Sequence, residues 1–376
     1  MSKWLPIKLG DIACNIQTGP FGSQLHQSDY SAIGTPVVMP KDLIAGKISE
    51  QSIARVGEAH VKRLARHQIK DGDILYSRRG DVGRCAYATD AETNWLCGTG
   101  CLKVTIDSSK AISKFVFYQL QTSQSVGWVE KHAVGSTMLN LNTSILANIP
   151  LSLPPLDVQQ KIAGILSAYD DLIENNRKQI KLLEEAAQRL YKEWFIDLRF
   201  PGHETTRIIN GVPEGWHRTQ LKDLILIKYG KDHKNISDGD IPVYGAGGFM
   251  RKCSQALHHG EAVLIPRKGS LNNIMYVNES FWTVDTMFYA LMQQPNIGFF
   301  TYLLLKSIDM YAMNIGAAVP SMTASILNAI GVMLPSATVL KQFHQNALSL
   351  FEKTSILRKQ NEHLVKSRNR LLQKLL

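Results

Sequence analysis

Ile162, Leu166, Tyr169, Ile173, Asn176, Ile180, Leu183, Ala187, Leu190 and Trp194 recur at alternating spacings of four and three, with a single polar residue, Asn176, in the middle. A stripe with that period always faces the same side of a helix, so it predicts a long helix with a long helical partner. The partner is in the same chain. Phe343, Ala347, Leu350, Thr354, Leu357, Asn361, Leu364, Arg368 and Leu371 repeat the spacing 181 residues later. Laid antiparallel, the two seams pair positions whose numbers add to about 537, which puts Asn176 opposite Asn361 as a register pin. At ~1.5 Å per residue such a helix is a rod of roughly 50 Å.

The rest of the chain is also duplicated. Trp4, Leu9, Asp11 and Ile12 reappear at the same spacing as Trp216, Leu221, Asp223 and Leu224. The β-rich run from Gly72 to Gly80 parallels the run from Gly260 to Gly269, with one inserted residue; each ends in two basic residues and a glycine, a strand entering a turn. From Gly135 onward the copies align without a gap. A long unit repeated twice predicts a duplicated domain plus helix, not a solenoid. Pro154-Pro155 with Asp157 and Gln160 reads as the capped start of the first helix, and Thr338 as the matching cap of the second. The expected fold is α+β: two globular mixed α/β domains separated by two long antiparallel α-helices that form an intramolecular coiled coil, in a pseudo-two-fold tandem repeat. The expected spans are 1–155 and 201–335 for the domains and 156–200 and 336–376 for the helical spacers.

Charge sharpens this picture. The 376 residues carry a net charge of +10, and the excess falls on the first domain and the C-terminal helix, which points to a polyanionic partner. No apolar window is long enough to span a membrane and the N-terminus lacks a signal-peptide core, so a cytoplasmic protein without a membrane partner is expected. Five cysteines in a chain of this size do not suggest a disulfide framework. No phosphate-binding loop is present, nor an Asn/Asp-Pro-Pro-Tyr/Phe methyltransferase motif; Cys97 and Cys101 with the distant His258-His259 have poor zinc spacing. No catalytic or metal-binding residue is therefore expected.

In the order of its parts the chain resembles the specificity (S) subunits of type I restriction-modification enzymes. The residues that carry the likeness are Trp4, Leu9, Asp11 and Ile12; the run Thr18 to Ser23; Gly72 to Leu75; and the helix entry Leu153-Pro154-Pro155-Leu156 followed by Gln159 to Ile162. The second copy departs from the pattern, with Pro335-Ser336-Ala337 in place of the double proline and no clear counterpart of Gly19 to Ser23. The resemblance implies a non-catalytic, sequence-specific subunit for double-stranded DNA, each domain reading half of a bipartite site. The helices would set the half-site spacing and dock two methyltransferase (M) subunits per chain, with restriction (R) subunits joining them. No cofactor is expected in this chain; S-adenosylmethionine, ATP and Mg are expected on the partner subunits. Two alternatives remain: a specificity subunit of a related system with fused methylation and cleavage activities, and a free-standing DNA-acting enzyme with a coiled-coil arm.

Candidate DNA contacts follow from residue type and place. Arg78, Arg79 and Arg84 flank the glycine turn of the first domain, and Arg267, Lys268, Asn272 and Asn273 occupy the equivalent turn of the second. Arginine can bond guanine with two hydrogen bonds and asparagine adenine, while lysine mostly holds phosphate. A second polar patch comprises His132, Ser136, Thr137, Asn140 and Asn142.

Overall fold

The computed structural model describes residues 4–135, 138–316 and 318–376. The candidates Ser136 and Thr137 lie outside the described residues. The chain forms two compact units: residues 1–174 with 361–376, and residues 175–360. Each long helix therefore contributes residues to both units.

In the first unit a four-stranded antiparallel sheet has the spatial order Ala13–Thr18, Cys101–Ile106, Ile74–Ser77, Cys85–Tyr87. A second four-stranded sheet runs Leu96–Cys97, Thr35–Val38, Ala54–Val56, Tyr30–Ser31, with its first pair parallel. In the second unit one six-stranded sheet covers both roles, in the order Ile225–Tyr229, Met287–Met292, His258–Pro266, Met275–Thr283, Ile241–Gly245, Gly248–Cys253. The difference lies in one strand. Met275–Thr283 pairs along His258–Pro266 and then, at Trp282 and Thr283, runs parallel to Val243 and Tyr244. In the first unit Cys85–Tyr87 and Leu96–Cys97 divide these two tasks, with a short helical turn at Asp90–Glu92 between them.

Both units close alike. Leu5–Lys8 pairs antiparallel with Pro150–Leu153, and His217–Gln220 pairs with Gly331–Leu334. The chain then enters its long helices, Leu156–Tyr191 and Ala337–Leu375. The first begins after the two prolines, which suit a helix start because their missing N–H groups would go unpaired there. Near its start the Gln159 side chain, not that of Gln160, reaches back, donating to the Pro154 carbonyl (2.8 Å) and accepting from the Ile112 N–H (2.9 Å). In the second helix Ser336, not Thr338, is the cap, its hydroxyl oxygen accepting from the Val339 N–H (3.4 Å). The first helix ends in a single π-turn, Lys192–Ile196, that carries the buried Trp194 and Phe195.

Within each unit the two helices run antiparallel. In the first, Arg368 pairs with Asp170 (2.6 Å), and the Asn361 amide donates to the Ile173 carbonyl (3.3 Å). In the second, the Asn176 amide donates to Gln360 (3.2 Å) and Arg358 pairs with Glu184 (2.5 Å). Each seam asparagine thus has a partner on the facing helix inside its own unit, which offsets the cost of placing an amide among apolar side chains. Sheet and helices share one core in each unit. Ile162, Leu166, Leu371 and Leu375 pack with Phe115 and Leu102 in the first; Tyr191, Phe195 and Phe343 pack with Phe300 and Val263 in the second. Among the described residues no helix is long and apolar enough to cross a membrane.

Candidate nucleic-acid interface

The basic turns predicted from sequence sit where the third sheet strand of each unit runs out. In the first unit the Arg78 N–H donates to the Gly100 carbonyl (2.8 Å) and the Arg78 carbonyl accepts from the Leu141 N–H (2.8 Å). Arg79 then forms an isolated antiparallel bridge with Asn140. Gly80, at φ 74°, donates to the Leu139 carbonyl (3.1 Å), and Val82 donates back to Gly80 (3.0 Å). A positive φ at this bend explains the glycine.

The second unit repeats each of these bonds. Arg267 donates to Thr286 (2.8 Å) and accepts from Met322 (2.9 Å), and Lys268 bridges to Ser321. Gly269, at φ 86°, donates to Pro320 (2.9 Å), and Leu271 donates back to Gly269 (2.9 Å). The neighbouring loop is repeated as well: Val134 donates to Asn140 (3.0 Å), as Ile315 does to Ser321 (3.0 Å). At its ends both copies expose apolar side chains, Val134 and Met138 in one and Ile315 and Val319 in the other.

The structure also supplies the counterpart of Gly19 that the sequence lacked. The Gly19 N–H donates to Cys101 (2.9 Å), and the Gly230 N–H to Met287 (3.0 Å). A Cβ on Gly19 would lie 2.0 Å from the Gly98 carbonyl oxygen; on Gly230 it would lie 1.9 Å from that of Val284. Both positions admit only glycine, so Tyr229-Gly230 corresponds to Thr18-Gly19.

The side chains on this shared frame have different occupations. Arg78 and Arg267 are half-buried and lie over aromatic rings, Arg78 at 5.5 Å from Phe21, Arg267 at 5.5 Å from Tyr229 and 6.0 Å from Phe288. Arg79 and Lys268 are exposed. The local carboxylate partner falls to Arg84, whose guanidinium donates twice to Asp81 (2.9 and 2.7 Å). Asn272 spends its amide within the domain, donating to Asp309 (3.0 Å) and accepting from the Met310 N–H (2.8 Å); Asn273 donates to the Ala246 carbonyl (2.9 Å). Asn142 caps the helix Thr143–Ala147 by accepting from Ile145 (2.7 Å). His132 is exposed at the end of the helix Ser123–His132, stacked on Trp128 with centroids 3.9 Å apart. The first turn therefore gathers Arg78, Arg79, Arg84 and Asn140, and the second gathers Arg267, Lys268, Asn272 and Asn273. Sequence reading missed the rings of Phe21 and Tyr229; the run Thr18 to Ser23 was visible, but nothing in it named Arg78 as the partner.

Burial pushes the thiols of Cys85 and Cys97 up to about 12, so both stay protonated at neutral pH and are poor nucleophiles or ligands. Among the described residues no group of three His, Cys, Asp or Glu side chains is placed to hold a metal ion.

Comparison with known proteins decides the family. The profile described as the type I restriction modification DNA specificity domain matches residues 1–185 and again 213–366. The chain belongs to the type I restriction-modification specificity family. Among curated relatives, the type I restriction enzyme MjaIX specificity subunit of Methanocaldococcus jannaschii is 25% identical over 92% of this chain and 87% of its own length. The HindI specificity subunit of Haemophilus influenzae is 28% identical over 52% of this chain and 42% of its own. The crystal structure of the type I restriction-modification S subunit from M. genitalium shares the fold, with a TM-score of 0.63 and 20% identity, covering 99% of this chain and 96% of that one. As a type I specificity subunit the chain carries two DNA recognition domains, and both contain the duplicated turn.

Proposed function

We propose that this specificity subunit reads a bipartite site in double-stranded DNA, one half through each turn, and has no catalytic centre of its own. The duplicated hydrogen-bonded frame carries the reading: it presents a half-buried arginine followed by an exposed cation in each domain. Arg78 and Arg267 are the base readers, while Arg79 and Lys268 hold phosphate. The long helices set the half-site spacing, with Asn176 and Asn361 pinning their register, and offer the surface on which two methyltransferase subunits dock. Restriction subunits complete the assembly in the cytoplasm, and S-adenosylmethionine, ATP and Mg belong to those partners.

Exchange of residues 1–155 for those of a homologue, followed by methylation mapping with the M partner present, tests the division of labour. One half-site changes and the other stays; a change in both halves would refute it. Removing one heptad from each helix shortens the unread spacer, and an unaltered spacer would refute the spacing role. Methylation or cleavage of DNA by the purified chain alone would refute the non-catalytic reading.

A further inference from the structure

We infer that Phe21 and Tyr229 are positioning residues for specificity: each holds the guanidinium of its domain's arginine in the pose that reads a guanine edge. The inference rests on the reading of Arg78 and Arg267 as base contacts. Both rings lie 5.5 Å from the arginine carbon, yet both are exposed, Phe21 at 51% and Tyr229 at 53%. Rings that exposed are placed wastefully for core packing and well for stacking under a cation at a binding surface.

Duplication does not account for the pairing. Tyr229 pairs with Phe288 in its sheet as Thr18 pairs with Leu102, so Tyr229 corresponds to Thr18, which has no ring. Phe21 comes from the loop beyond Gly19. Two different backbone positions thus deliver a ring to the same arginine of the frame. Nor does a carboxylate orient these arginines: among the described residues neither has an ion pair, and the Arg78 Nε is buried without a hydrogen-bond partner. An arginine on a flexible stem gains from a surface that fixes its plane, because its bidentate bond to guanine O6 and N7 needs the fork aligned with the base. The chemistry implies a G·C pair in each half-site.

The test uses the full chain with its M partner and duplexes carrying the site found by methylation mapping, each guanine replaced in turn by 7-deazaguanine, which lacks N7. Wild-type complex is expected to bind about tenfold more weakly when one guanine of each half-site is replaced. Phe21→Leu should remove most of that discrimination in one half and Tyr229→Leu in the other, with binding to unrelated DNA unchanged; Phe21→Tyr should restore it. If Arg78→Lys leaves discrimination intact, the underlying base-reading assignment fails. If Arg78→Lys abolishes it while Phe21→Leu does not, the arginine reads the base and the positioning role of the ring is overturned. An equal loss on specific and unrelated DNA in Phe21→Leu, without rescue by Phe21→Tyr, also overturns it.

Discussion

The two recognition domains build the same turn from the same backbone hydrogen bonds, while the side chains around it diverge. Arg79 stands where the second domain has Lys268, and Arg84, tied to Asp81, where it has Asn273, tied to Ala246. Near the start of the strand that leads into the turn the contrast is greater. In the first domain Lys103 and Asp73, both buried, form an ion pair (3.4 Å), with Thr105 donating to Asp73 (2.5 Å) and Lys103 to the Gln68 carbonyl (2.5 Å). By sheet register the corresponding residues of the second domain are Tyr289 and Ala262, an apolar solution to the same volume. Backbone bonds do not depend on side-chain identity, so the frame survives divergence while the groups it presents are free to change. That is what a protein needs if two copies of one fold are to read different sequences.

The buried pair offers the largest effect by which to probe this contrast. Asp73→Ala leaves the Lys103 ammonium buried and unpaired and should cost about 3–5 kcal/mol, measured by urea unfolding of the chain. Adding Lys103→Tyr copies the second domain's solution and should return most of that loss. If the double variant is no more stable than Asp73→Ala, the two cores are not interchangeable solutions.

A smaller effect separates phosphate holding from base reading. Arg79→Ala and Lys268→Ala should each weaken binding evenly across DNA sequences and reduce the slope of log affinity against log salt by about 0.9. A change in sequence preference without a change in slope would make either residue a base reader and break the equivalence of the two positions.

The smallest expected effect is on stability against pH. Burial, and then the charge of Arg66, hold the His67 imidazolium below its ordinary value, and the Arg66 Nε donates to His67 Nε2 (3.0 Å), which requires that nitrogen unprotonated. The unfolded chain binds this proton at about pH 6.5 while the folded one resists, so stability is full above that pH and declines as pH falls through it. His67→Gln should flatten that decline in thermal unfolding between pH 7 and 5; an unchanged profile would assign it elsewhere.

The long helices were legible in the sequence because a heptad stripe is a local, periodic signal, and the duplication because the copies align without gaps after Gly135. The cap of the second helix was misplaced by two residues, since Ser336 and Thr338 both suit a cap and only the backbone path chooses. Gly230 was not legible as the partner of Gly19. Its neighbours share no side chains with the first copy, and the constraint is the carbonyl of a residue far along the chain, just past a strand end. The same holds for the asparagines of the second turn. Their types suggested adenine, but Asp309, Met310 and Ala246, remote in sequence, engage their amides. The arginine–ring pairs likewise join residues far apart in the chain, and composition has nothing to say about them.

The independence of the two frames is tested most directly by methylation mapping of DNA from cells that carry the M partner with either the native chain or its Arg267→Ala variant. The account predicts that one half of the recognised site becomes degenerate at one or more base pairs, while the other half and the spacer length stay as they were. Degeneracy in both halves, or an unchanged site, would contradict it.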